Sequence, residues 1–130
     1  MPIKIEKQEW GLRVVASGRI AFNEMWDSLK DGWEIGNWDA VDRRLTIYEP
    51  GLVVDYEDHE PDLLAQIMAA SQTRKLHQFK SAIVIPTDDT ESRKFIERYF
   101  AALERASDAV GQIFDDEKTA LKWLIGDTDD

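Results

Sequence analysis

The chain has 130 residues, 43% hydrophobic and 32% charged, a globular composition sized for one domain. It contains no cysteine, which excludes disulfides, thiolate zinc sites, iron–sulfur clusters and cysteine nucleophiles. Lys and Arg number 16 against 26 Asp and Glu, and the resulting net charge of −10 argues against binding nucleic acid or an anionic membrane surface.

The opening Met1-Pro2-Ile3-Lys4-Ile5-Glu6 has no apolar leader and carries an early acid, so no targeting segment is expected. Apolar runs such as residues 82–85 fall far short of the ~18 residues that span a bilayer. The expectation is a soluble cytoplasmic protein with a single domain over residues 1–126 and a disordered acidic tail over 127–130.

Ile3 and Ile5 alternate with Lys4 and Glu6, the period of a half-buried strand. Residues 12–17 form a second strand candidate, close enough for an antiparallel hairpin that turns at Trp10-Gly11. Residues 18–21 lead into a helix on which Phe22, Met25, Trp26, Leu29 and Trp33 share one face. Gly32 and Gly36 frame its end. Residues 37–43 read as a polar connector. Leu45, Ile47 and Tyr48 make a third strand, broken by Glu49-Pro50-Gly51, and residues 52–54 extend it or pack as a loop.

An acidic stretch over residues 55–62 enters a second helix, with Glu60 before Pro61 in its first turn and Arg74, Lys75 and His77 in its last. Residues 81–86 form the clearest strand. Its apolar residues do not alternate, which predicts cover on both faces. Residues 87–90 offer N-caps to a long helix with Phe95, Ile96, Tyr99, Phe100, Leu103 and Ala106 inward. Residues 109–114 give a last strand, and Asp115-Asp116 caps a final helix with Ala120, Leu121 and Leu124 inward. The order β-β-α-β-α-β-α-β-α predicts an α/β fold, a mainly parallel sheet with an antiparallel first strand and helices packed on it.

Three segments carry a resemblance to a known group. They are the hairpin end Val14-Val15-Ala16-Ser17-Gly18-Arg19-Ile20, the strand Ser81-Ala82-Ile83-Val84-Ile85, and the ending from Gln112 through Asp115-Asp116 to Ala120-Leu121-Lys122-Trp123-Leu124. Over nearly the whole chain these resemble the SpoIIAA-like superfamily, which includes STAS (anti-sigma-factor antagonist) domains and small stand-alone bacterial proteins of unknown function. The resemblance implies consecutive parallel strands as neighbours and a non-catalytic regulatory role through protein–protein contact. Sigma-regulating members carry a phosphorylatable Ser or Thr where the helix follows the third strand. Residues 51–63 contain neither, so that switch does not carry over. Some relatives with this kind of fold bind lipids or other apolar molecules, which makes a small-ligand carrier the alternative.

Catalytic motifs are missing. There is no Gly-x-Ser-x-Gly elbow, P-loop or Gly-x-Gly-x-x-Gly fingerprint, and His59 and His77 lack zinc-helix spacing. No enzyme activity, cofactor or metal is expected. Asp55, Asp58 and His59 could hold a divalent ion loosely, but no complete ligand set is visible and a solvated acidic loop is the better explanation. The pairs Asp88/Asp89 and Asp115/Asp116 sit where helices begin, so capping explains them. Arg93, Lys94 and Arg98 are expected to pair with Glu91 and Glu97. Trp10, Trp33, Trp38 and Trp123 either seal core edges or mark an interface. The binding surface is expected at Asp55, Asp58, His59, Glu60, Thr87, Asp88 and Trp38, where loops follow strand ends. Its partner would be a protein, or a second copy of the chain as a homodimer. A pocket between the first two helices would favour the carrier, and a flat apolar patch would favour the protein partner.

Overall fold

A computed structural model gives the structure, which describes residues 3–25, 27, 43–71 and 79–126. Among the described residues the chain forms, in order, β1 (Ile3–Gln8), β2 (Gly11–Ala16), β3 (Arg19–Ala21), β4 (Arg43–Tyr48), β5 (Val53–Asp55), α1 (Glu60–Ser71), β6 (Lys80–Val84), α2 (Thr90–Ala106), β7 (Val110–Phe114) and α3 (Glu117–Ile125). Residues 22–25 and 27 are also helical, and the Glu24 carboxylate reaches back to accept the Ala21 N–H at 2.9 Å. Trp26, Leu29, Gly32, Trp33, Gly36, Trp38, Arg74, Lys75, His77 and the tail over 127–130 lie outside the described residues.

The main sheet has five strands in the order β1-β2-β4-β6-β7. β1 and β2 are antiparallel, and the three other pairings are parallel. The hairpin turns through Glu9 and Trp10, with Gln8 opposite Gly11. Gly11 is dictated by space as well as by its φ of 153°, since a Cβ there would collide with the Arg43 carbonyl oxygen on the neighbouring strand.

Helices cover both faces of the sheet. On one side α1 and α2 pack along each other and bury Leu64, Met68, Phe95, Ile96, Phe100 and Leu103 against Leu12, Ala16 and Ile83. On the other, α3 buries Ala120 and Leu124 against Leu45, Ala82, Val84 and Phe114. Residues 81–85 are all buried, as their unbroken apolar run predicts, because β6 lies inside the sheet between two helical layers. Trp10 and Trp123 are half-buried at the rim of the α3 side. The Trp123 ring stacks 5.6 Å from Phe114, and the Lys80 ammonium sits 5.2 Å from its centroid.

Helix starts follow local chemistry. Asp89 caps α2 by accepting the Ser92 N–H at 3.0 Å, and Asp116 caps α3 by accepting the Thr119 N–H at 2.8 Å. Four expectations need correction. Residues 19–21, read as the lead into a helix, and residues 53–55, read in part as an extension of the third strand or a loop, pair in parallel as a separate two-stranded sheet, with Ile20 opposite Val54. Arg43 belongs to β4, not to the connector, since its backbone takes part in the pairing with Lys80. Ala106 is exposed, because α2 ends there and the residue borders an open groove beside α1. Arg98 pairs with Asp62 across the helix interface at 3.2 Å and Arg93 with Asp115 at 3.5 Å, while Lys94 and Glu91 form the expected local pair at 3.8 Å. Among the described residues no helix is long and apolar enough to cross a membrane.

Candidate ligand-binding pocket

Side chains alternate across β4. Leu45 belongs to the α3 side, so Arg44, Thr46 and Tyr48 point toward α1 and α2. The register sets Arg44 beside Leu12 and Ser81, Thr46 beside Val14 and Ile83, and Tyr48 beside Ala16. Above this row lie Leu64 and Met68 of α1, Ile96 and Tyr99 of α2, and Met25 of the helical stretch after β3. These residues do not close completely. They leave a cavity of about 60 Å³, whose wall is otherwise apolar, with Ile20, Val54 and Phe79 completing it. That is room for about four waters or one small molecule.

One end of this cavity is polar. The Arg44 Nε donates to Thr46 Oγ1 at 3.2 Å. No carboxylate among the described residues comes within ion-pair distance of Arg44, in contrast to Arg19, Arg93 and Arg98, each of which has one, and to Arg13, which has two. Arg44 keeps some accessible surface as a residue, yet loss of water dominates its guanidinium and lowers its pKa. An arginine does not discharge in a protein, so the result is a partly buried cation with most of its five donors unanswered by these residues. The adjacent phenols respond to the same enclosure. Burial pushes the Tyr99 hydroxyl up to about 12, and Tyr48 is raised further still, while the nearby Arg44 charge opposes both shifts. Ser81 adds a buried hydroxyl.

The residues expected from sequence to bind are placed elsewhere. Asp55 is fixed in a two-pronged ion pair with Arg19, at 2.8 and 3.1 Å. The Glu60 carboxylate accepts the Glu57 N–H at 2.7 Å and shapes the entry into α1. Asp58 and His59 are exposed in the turn before α1, and His59 lies 3.9 Å from Glu57. Thr87 and Asp88 are exposed in the turn after β6, and Trp38 lies outside the described residues. The loop before α1 reaches α2 through Tyr56, packed edge-on against Phe95 at 4.6 Å. A cleft of about 330 Å³ opens there, lined by Leu52, Val53, Val54, Tyr56, Asp89, Glu91 and Ser92 and by none of the expected binding residues. It is the larger space, but its acids are already engaged, Asp89 as the α2 cap and Glu91 with Lys94. Among the described residues no three His, Asp or Glu side chains are placed to hold a metal ion.

Sequence reading missed Arg44, Thr46 and Ser81. The available signal was the alternation Arg44-Leu45-Thr46-Ile47-Tyr48, which puts three polar groups on one face of a strand. Comparison with protein-family models, with curated proteins and with solved structures finds no match to the chain.

Proposed function

We propose that this chain is a non-catalytic binding protein that takes up a small, largely apolar molecule between its sheet and its helices. The observation that carries this reading is the apolar cavity between β4, β6, α1 and α2, bordered by Met25 of the first helix and by Leu64 and Met68 of the next. A protein-docking role would be better served by a flat apolar patch. Among the described residues the exposed large apolar side chains are Val53, Leu63 and Ile125, which stand on three different elements. The mixed sheet with its strands in chain order supports grouping the chain with the SpoIIAA-like proteins, as a member without their Ser/Thr switch.

Native mass spectrometry of protein purified from its own host tests the reading, with a bound small molecule as the expected result. The variant Ala16→Leu, which places extra carbons in the cavity, is expected to stay folded and to emerge empty. A ligand retained by Ala16→Leu at the level of the parent would place the site elsewhere.

A further inference from the structure

Resting on the pocket reading above, we propose that the ligand is a small monocarboxylate, with its carboxylate on the Arg44 guanidinium and its hydrocarbon part among Leu64, Met68 and Ile96. Three observations fix the class. The first is charge: Arg44 faces the cavity with no carboxylate among the described residues in ion-pair range, its Nε spent on Thr46 and its remaining N–H groups without acceptors there. A guanidinium presents paired donors that match the two oxygens of a carboxylate.

The second is count. Arg13 and Lys80, which also stand on inner strands, are engaged on the opposite side of the sheet, Arg13 with Glu117 of α3 and Lys80 over the Trp123 ring. A single positive charge balances a single negative one. A phosphate dianion would bring a second charge into an apolar wall on a chain whose net charge is already −10. The third is the surroundings: the hydroxyls of Tyr48, Tyr99 and Ser81 border the same cavity and can donate to oxygen, while the rest of the wall offers contacts suited to carbon.

Propanoate and propanol, which share a tail, differ in the head group and are small enough for the cavity, test the assignment. Binding is read by titration calorimetry and by the Arg44 Nε–H resonance of the unaltered protein. Propanoate is expected to bind roughly tenfold or more tightly than propanol and to shift that resonance. Arg44→Gln is expected to cost propanoate roughly tenfold in affinity and to leave propanol within about twofold. Should Arg44→Gln fail to fold, the resonance shift in the parent protein still decides. Equal binding of the two probes, or propanoate binding without a shift at Arg44, overturns the carboxylate assignment while the apolar pocket stands. Binding of neither probe overturns the assignment and the pocket reading together.

Discussion

Gly111 on β7 lies directly beneath the Phe100 ring of α2, so close that a Cβ at position 111 would run into the ring carbons. The ring can move only by disturbing its contact with Tyr99, whose centroid lies 5.5 Å away. Gly111→Ala is therefore expected to destabilise the protein by about 1–3 kcal/mol through overpacking. Phe100→Leu should make the two changes less than additive, because the smaller side chain opens the space that the new methyl needs. Urea unfolding of both single variants and the double variant measures the coupling, and strict additivity would show that the ring is not what position 111 meets.

Among the described residues the Arg44 guanidinium meets no counter-charge and donates only to Thr46, so its charge adds little to the stability of the empty protein. Arg44→Met removes the charge and keeps much of the volume, so the unliganded variant is expected to gain about 1–3 kcal/mol. Thermal unfolding of ligand-free protein checks this. A lower Tm for the variant would mean that Arg44 is satisfied in the empty state.

The buried phenols set an alkaline limit. The folded Tyr99 hydroxyl ionises near 12 against 10.0 for the free side chain, because burial disfavours the phenolate. Its contribution is complete below the unfolded value and is lost as pH rises through the folded one. Stability should therefore fall between about pH 10 and 12, and phenolate absorbance should lag behind that of the unfolded chain. In Tyr99→Phe the decline should be shallower, and an unchanged slope would assign it to other groups.

At the acid end, Asp116 behaves in the opposite sense. The Thr119 backbone N–H, followed by the Thr119 hydroxyl, lowers its pKa. The cap thus contributes above the unfolded carboxylate range and is lost as pH falls through the lowered folded value. Asp116→Asn keeps an acceptor for Thr119 but cannot titrate, so stability should depend less on pH over that interval. A parent-like acid profile in the variant would show that the capping charge is immaterial.

What could be read from sequence followed from how each signal arises. The run over residues 81–85 announced an interior strand because only double cover permits five consecutive buried residues. Phe95, Ile96, Tyr99, Phe100 and Leu103 announced the inner face of α2 through their spacing. Three-residue strands carry no usable period, so β3 was not foreseen, and residues 52–54 suggested only an extension of the third strand or a loop and not a pairing with residues 19–21. On β4, alternation separated Arg44, Thr46 and Tyr48 from Leu45 and Ile47 but could not say that the polar side looks inward, since that depends on helices that follow later in the chain. The acids of residues 55–62 stood out as charge, yet the partner of Asp55 is Arg19, 36 positions away, and no local pattern pairs them.

The sheet also acts as a partition. Among the described residues, none of the side chains that α3 packs against line the cavity, and none of the cavity's residues belong to α3. Changes at Leu64, Met68 or Ile96 therefore act on one compartment, and their costs should add to those of changes in the other rather than compound them. On the binding reading proposed above, substitutions in that compartment are expected to change which guest fits, while α3 and the strands beneath it keep the molecule folded.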